Sequence, residues 1–145
     1  MDASEIARLT RLLARAGLTA AQIAEEALRP HDLTLAQFAV LDHLVNRPAG
    51  PPPRQVDIAR ALGLGRPAIT KIIAKFTARG WLIISPSRED LRVNHVVPGD
   101  LAIDALVAAQ RSLAAAMSPP LGALTFGERR DLGRGLAAFV EAVPD

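Results

Sequence analysis

Apolar residues recur every three or four positions along most of the 145-residue chain, a period that predicts α-helices. Over about residues 3–29 they form a seam typical of one helix packing along another. A second helix is predicted to begin at Thr34, because Thr34 and Gln37 have the spacing of a capping box, and to end near Asn46. Prolines exclude a helix from residues 47–53, which are predicted to form a stiff loop within one domain.

Residues 58–73 have the pattern of a helix-turn-helix. The small Ala59 allows two short helices to approach, and Gly63, four residues later, permits a turn with positive φ. From Ile69 onward, apolar residues at i, i+3, i+4 and i+7 place one stripe of the second helix against the core. The opposite side is small and basic. That combination suits the major groove of DNA, where phosphates require positive charge and base edges require short polar contacts.

Two β-like runs follow the helix-turn-helix. Gly80 is expected to end the second helix of the motif, and the runs at 81–84 and 92–97 then predict a two-stranded wing. A further helix is predicted from Pro98 to about Ser118.

The prolines at 119–120 are expected to stop that helix. Thr125 and Glu128 repeat the capping-box spacing and predict a last helix that runs to about residue 143. The helices at the two ends hold more leucine and alanine than a small winged helix needs for its own core, which indicates subunit pairing.

Positive charge is concentrated on the segment that holds the helix-turn-helix and the wing. The whole chain has a formal net charge of +2, whereas residues 54–92 contain eight basic and three acidic side chains. Such a distribution is expected of a DNA-binding surface, and an ordinary solvated surface is the alternative.

Composition narrows the class of protein further. The chain has no cysteine, which excludes disulfides and thiolate metal sites, and no apolar run of membrane-spanning length. The beginning of the sequence lacks the apolar centre of a signal peptide, so a soluble cytoplasmic protein is expected. His31, His43 and His95 lack the spacing of a metal site, and no catalytic pattern is present. No cofactor, metal or enzymatic activity is predicted.

Four segments resemble the MarR family of bacterial transcription regulators. They are 33–41 at the start of the second helix, 65–71 in the recognition helix, 79–83 entering the wing, and the Asp-x-Arg signature at 90–92. The resemblance implies a mainly α fold with a small β-wing, as one MarR-like domain over residues 1–145. In it, a winged helix-turn-helix at about 33–98 is flanked by dimerisation helices at about 3–29 and 99–143.

The resemblance also implies what the protein binds. A homodimer would present two recognition helices to successive major grooves of double-stranded DNA at a pseudo-palindromic operator. A small-molecule effector between the dimerisation helices and the winged helix would release the DNA, as in a repressor. The alternative from a different class is a winged-helix protein-interaction module, whose basic helix meets an acidic partner.

Basic and small residues of the recognition helix and the wing are the candidates for DNA contact. Thr70 is expected to meet a base edge or a thymine methyl, and the lysines are expected to hold phosphates. By the resemblance, Arg92 would enter the minor groove; a purely structural salt bridge to Asp90 is the alternative. Helix initiation accounts equally well for Pro67. The predicted set is Arg54, Arg66, Pro67, Ala68, Thr70, Lys71, Lys75, Arg88 and Arg92.

Overall fold

The computed structural model describes residues 1–144 and is mainly helical, with one antiparallel hairpin. Its elements, in chain order, are α1 (Ala3–Leu28), a 3-10 turn (Arg29–His31), α2 (Leu35–Asn46), α3 (Gln55–Leu62), α4 (Arg66–Ala78), β1 (Leu82–Pro86), β2 (Asn94–Pro98), α5 (Asp100–Gly122) and α6 (Phe126–Ala142). The predicted fold class, mainly α with a small β-wing, is confirmed.

The core lies where α2, α3, α4 and α5 meet under the hairpin. The predicted apolar stripe of α4 is buried there, with Phe76 completely inaccessible to solvent. The largest fully buried side chains are Phe76, Leu28, Leu41, Leu44, Ile58, Ile69, Ile73, Leu106, Val40 and Val96. Burying this stripe fixes which side of α4 faces outward.

Two glycines make the turns that flank α4. Gly63 ends α3 with φ +63°, and Gly65 caps α4. Gly80 has φ +74°; its N–H donates to the carbonyl of Thr77 at 3.0 Å, and the Trp81 N–H donates to the carbonyl of Phe76 at 2.9 Å. This pair of bonds is the Schellman arrangement. The predicted roles of Gly63 and Gly80 are confirmed.

Both predicted capping boxes are present. In α2 the Gln37 N–H donates to Thr34 Oγ1 at 3.1 Å, and the Thr34 N–H donates to Gln37 Oε1 at 3.0 Å. In α6 the corresponding bonds between Thr125 and Glu128 are 3.2 and 2.8 Å. These reciprocal bonds satisfy backbone donors that would otherwise lack a partner at the helix start.

The expected bounds of α5 are wrong at both ends. Pro98 is the last residue of β2, paired with Leu82, and α5 begins at Asp100. The helix then continues through the prolines at 119–120 to Gly122. A proline inside a helix removes a hydrogen bond and crowds the preceding turn. Both prolines lie exposed in the last turn, and the helix ends two residues after them.

The proline-rich loop is tied to the wing. The N–H of Val96 in β2 donates to the carbonyl of Pro53 at 3.0 Å, and the Arg47 guanidinium donates to the carbonyl of Pro51 at 3.0 Å. The strands themselves lie one or two residues further along the chain than the sequence predicts. The loop between α2 and α3 is therefore held against the wing by a backbone hydrogen bond.

The end helices leave much of their apolar surface uncovered. Within residues 1–144, α6 has no buried side chain, and Phe139 and Val140 expose 52% and 69% of their surface. In α1, burial is confined to Ala24 and Leu28 near its end. Among the described residues, no helix combines the length and apolar character needed to cross a membrane.

Candidate nucleic-acid interface

The first half of α4 presents a continuous exposed face opposite its buried stripe. Arg66 and Pro67 lie in its first turn after the Gly65 cap, and Ala68, Thr70 and Lys71 complete the face. Thr70 Oγ1 donates to the Arg66 carbonyl at 2.9 Å, which leaves the hydroxyl oxygen available as an acceptor. The structure thus brings together five of the nine predicted DNA-contact residues on one surface.

Helix α3 borders this face across a shallow cleft of about 250 Å³. Its lining includes Arg66 and Thr70 of α4 and Gln55, the first residue of α3. Sequence reasoning did not select Gln55, although it directly follows Arg54 at the predicted start of the first motif helix. An amide with two donors and one acceptor oxygen at this place adds a polar group to the same surface.

Arg54 lies at the start of α3 and is held by Asp57. Its Nε atom is 3.1 Å from Asp57 Oδ2, and its own N–H donates to the same oxygen at 3.1 Å. The hydrogen bond from Arg54 lowers the pKa of the Asp57 carboxyl below its usual value. The Arg54 side chain is half exposed, and the pair lies at the start of α3 rather than on α4.

The wing tip carries the other two predicted arginines. Arg88 and Arg92 are exposed, the Arg92 side chain by 94%. Asp90 Oδ1 accepts the Arg92 N–H at 3.0 Å and lies 3.6 Å from Arg92 Nε, so the predicted ion pair is present. The buried Ser87 fixes the tip from below, because its Oγ accepts the Glu89 N–H at 3.2 Å.

Lys75 is less exposed than the other basic residues of α4. Its ammonium donates to the carbonyl of Asp32 at 2.7 Å and to Gln37 Oε1 at 2.8 Å, and 27% of the side chain is exposed. These partners precede it by 43 and 38 residues, a distance along the chain at which periodicity gives no signal. Lys75 therefore lies on the same side of α4 as Lys71, one helical turn earlier, but its ammonium is held by another part of the chain.

The histidines lie apart. His31 Nε2 is 2.7 Å from Ser112 Oγ, which links the 3-10 turn to α5, while His43 and His95 lie in α2 and β2. Across residues 1–144, no three His, Asp or Glu side chains converge in a group suited to a metal ion.

These features define a winged helix-turn-helix protein with an exposed basic helix. Residues 31–92, which hold the helix-turn-helix and most of the wing, match the sequence model of the MarR family. This part of the chain is therefore similar to that family of transcription regulators. No protein in a search of the curated proteins matches the sequence.

Solved structures of MarR-type regulators have the same fold over almost the whole chain. The transcriptional regulator BldR from Sulfolobus solfataricus superposes with a TM-score of 0.85 at 19% identity, covering 99% of this chain and 100% of its own. The repressor CouR, bound to a 23-mer DNA duplex, is 27% identical with a TM-score of 0.78 and coverage of 97% and 98%. CouR from Rhodococcus jostii RHA1, bound to p-coumaroyl-CoA, is 17% identical with a TM-score of 0.81 and coverage of 94% of each chain.

Proposed function

We propose that the protein is a dimeric regulator that binds double-stranded DNA sequence-specifically and represses transcription. The observation that carries the proposal is the first half of α4, where Arg66, Thr70 and Lys71 are exposed beside the small apolar residues of the first turn. In the major groove, Arg66 and Lys71 would meet phosphates, and Thr70 would meet a base edge. Pro67 and Ala68 are small enough to approach a thymine methyl. The DNA complex of the repressor CouR supports this assignment by similarity.

The wing supplies a second contact in this proposal. Arg92 extends from a tip that Ser87 and Asp90 hold in place, with Arg88 beside it. A guanidinium is favoured in a narrow minor groove, where the negative potential of DNA is enhanced. Arg54, paired with Asp57 at the start of α3, is proposed to meet phosphate at the edge of the interface.

The exposed apolar surface of the end helices supports dimerisation. Large apolar patches on a folded chain mark interaction sites, and α1, α5 and α6 each leave several leucine, isoleucine, valine or phenylalanine side chains exposed. A two-fold dimer would place two α4 helices on half-sites about one helical turn, roughly 34–36 Å, apart. The operator is therefore expected to be an inverted repeat.

Release by a small molecule is the last part of the proposal. CouR from R. jostii was solved with p-coumaroyl-CoA, so a protein of this fold accommodates an organic ligand. A ligand that binds one dimer geometry more tightly than the DNA-bound geometry would shift the population and weaken operator binding. For this chain, neither a ligand nor its site is assigned.

Selection from a pool of random duplex DNA tests the proposal. The purified protein is expected to enrich an inverted repeat whose half-sites are separated by about one turn of DNA. Enrichment of a motif without two-fold symmetry would contradict the dimeric mode of binding. If no motif is enriched at low salt, the proposal fails and the winged-helix protein-interaction module becomes the better hypothesis.

A double variant then tests the contact residues. K71A/R92A is expected to bind the selected duplex at least tenfold more weakly. The slope of log Kd against log salt concentration is expected to decrease in magnitude by about two, because each cation that neutralises a phosphate charge contributes about 0.9. R130A/R134A is the matched control, since it also removes two exposed positive charges, both from α6. Both variants are compared as dimers, verified by sedimentation. Wild-type affinity in K71A/R92A would overturn the site assignment.

A further inference from the structure

The junction between α1 and α2 contains an unusual backbone conformation. Asp32 has φ +52° and ψ +43°, and it is the one non-glycine residue with positive φ among residues 1–144. Its N–H donates to the carbonyl of Arg29 at 2.9 Å, which closes the 3-10 turn. Aspartate tolerates the left-handed conformation better than most residues, yet the conformation persists only where surrounding contacts support it.

Lys75 supplies that support from α4. Besides the Asp32 carbonyl, its ammonium binds Gln37 Oε1, the same atom that accepts the Thr34 N–H in the α2 capping box. One cation therefore bridges the end of the 3-10 turn and the cap of α2. Both bonds are short and charge-assisted, which makes them stronger than neutral hydrogen bonds.

Neighbouring contacts extend this link in both directions. Glu25 Oε1 of α1 accepts the Leu35 N–H at 2.8 Å, which fastens α1 to the start of α2. On the other side, Arg79 pairs with the Asp32 carboxylate and lies 5.0 Å from the centre of the Trp81 ring, just before β1. Trp81 in turn packs against Phe76, with ring centres 5.2 Å apart.

We propose that Lys75 is a positioning residue for DNA recognition, and that it sets the orientation of α4 relative to the α1–α2 junction without contacting DNA. We call Asp32, Gln37, Lys75 and Arg79 the junction clasp. Because α1 belongs to the surface proposed for dimerisation, the clasp would fix the separation of the two α4 helices in a dimer. The inference rests on the proposed function and reassigns Lys75 within it.

Lys75 contributes more to the clasp than Arg79 does. The Asp32 carboxylate that binds Arg79 is 80% exposed, and exposed ion pairs are weak because water screens them. The Lys75 side chain is about as exposed as that of Arg79, but its ammonium satisfies a backbone carbonyl and a side-chain amide together. Removing it leaves both acceptors without this donor.

Lys71 offers a matched control on the same helix, because it lies one turn before Lys75 and is exposed. We would measure Kd for the selected duplex at several salt concentrations for K71M and K75M. K71M is expected to reduce the magnitude of the salt slope by about 0.9, the value for one phosphate contact. K75M is expected to weaken binding by about tenfold with an unchanged salt slope, because it removes a residue that orients α4 and not a phosphate contact.

The separation of the two α4 helices can be measured directly. The chain has no cysteine, so a single cysteine at the exposed Ala74 accepts one spin label per chain. Double electron–electron resonance measures the distance between the two labels of the DNA-free dimer. It is expected to give a narrow distance distribution for the A74C protein and for A74C/K71M. The distribution is expected to broaden in A74C/K75M. A residue that only stabilised the fold would lower the melting temperature without changing this distribution.

The outcomes distinguish the hypotheses. If K75M lowers the salt slope and keeps a narrow distance distribution, Lys75 contacts phosphate and the inference is wrong. If K75M binds DNA as the wild type does, the clasp has no role in recognition, although the proposed function stands. If the wild type selects no DNA motif, the proposed function fails and this inference fails with it. Should K75M not fold, K75Q replaces it in both measurements.

Discussion

Phe76 and Phe139 show that the helix-turn-helix and α6 differ in how their apolar side chains are buried. Phe76, in the helix-turn-helix, is fully buried in a core to which α2, α3, α5 and the wing of the same chain contribute. Phe139, in α6, leaves half of its surface exposed, and its helix has no buried residue within the described range. The first region obtains its core from one chain. The second has the apolar surface of a core and lacks the layer that would cover it.

The same contrast explains why the exposed face of α4 can be polar. Because the core of the helix-turn-helix is closed on the inner side of α4, the outer side can carry Arg66 and Lys71 without loss of packing. In the helices α1 and α6 at the two ends, most of the apolar side is left uncovered by the same chain. Their exposed leucine and phenylalanine side chains are most simply understood as surface that a second copy covers.

The largest expected effect is the loss of the central core side chain. F76A should lower the free energy of unfolding by about 3–5 kcal/mol, because the cavity that it leaves cannot be filled by neighbours. F139A should act differently, since its loss depends on the partner chain. Denaturant unfolding at two protein concentrations distinguishes the two variants. The loss of unfolding free energy relative to the wild type is expected to be similar at both concentrations for F76A and to depend on concentration for F139A.

Charge in the apolar surface of α6 should separate the subunits. L136E would bury a carboxylate without a partner, which is expected to raise the dimer dissociation constant by at least about a hundredfold. L91E is the control, because Leu91 is an equally apolar residue, 80% exposed at the wing tip. Sedimentation velocity is expected to show monomers for L136E and dimers for L91E. Dimeric L136E would contradict the assignment of this surface.

Replacing glycine by alanine should change the stability of the protein in opposite directions at two positions. G80A is expected to destabilise the protein by about 1–2 kcal/mol, because alanine resists the left-handed conformation that Gly80 adopts at φ +74°. G17A lies within α1 and is expected to stabilise the protein by up to about 1 kcal/mol through helix propensity. A Cβ meets no atom within 4 Å at either position, so backbone conformation alone is compared. Equal changes in melting temperature would refute this account.

The smallest effect concerns pH. The Arg54 hydrogen bond lowers the pKa of Asp57 from its usual 3.8, so the folded state binds that proton less readily than the unfolded state. The stabilisation is therefore fully present above pH 3.8 and is lost as the pH falls from there through the folded value. The melting-temperature difference between the wild type and D57N should shrink between pH 7 and pH 3. A difference independent of pH would contradict the pairing.

Local signals in the sequence predicted much of the fold. The capping residue Thr34, the glycines at 63 and 80, and the apolar spacing from Ile69 each act within a few residues, which is the range over which a sequence pattern is informative. The prolines at 119–120 misled the prediction, because the helix ends just after them rather than before them.

The candidate site was predictable in part for the same reason. The exposed face of α4 follows from the helical period, and its residues lie together as that period requires. Lys75 lies on the same helix, but its partners Asp32 and Gln37 come from another part of the chain. Only the tertiary structure distinguishes it from Lys71. The uncovered surface of α6 likewise reflects a partner whose position the chain alone does not specify.

The mass of the complex between the protein and its selected duplex tests the central claim most directly. If the end helices pair two chains so that two α4 helices read one operator, light scattering after size-exclusion chromatography should give two chains per duplex. The free protein should already have twice the mass of one chain. One chain per duplex, from a protein that is monomeric without DNA, would contradict the account.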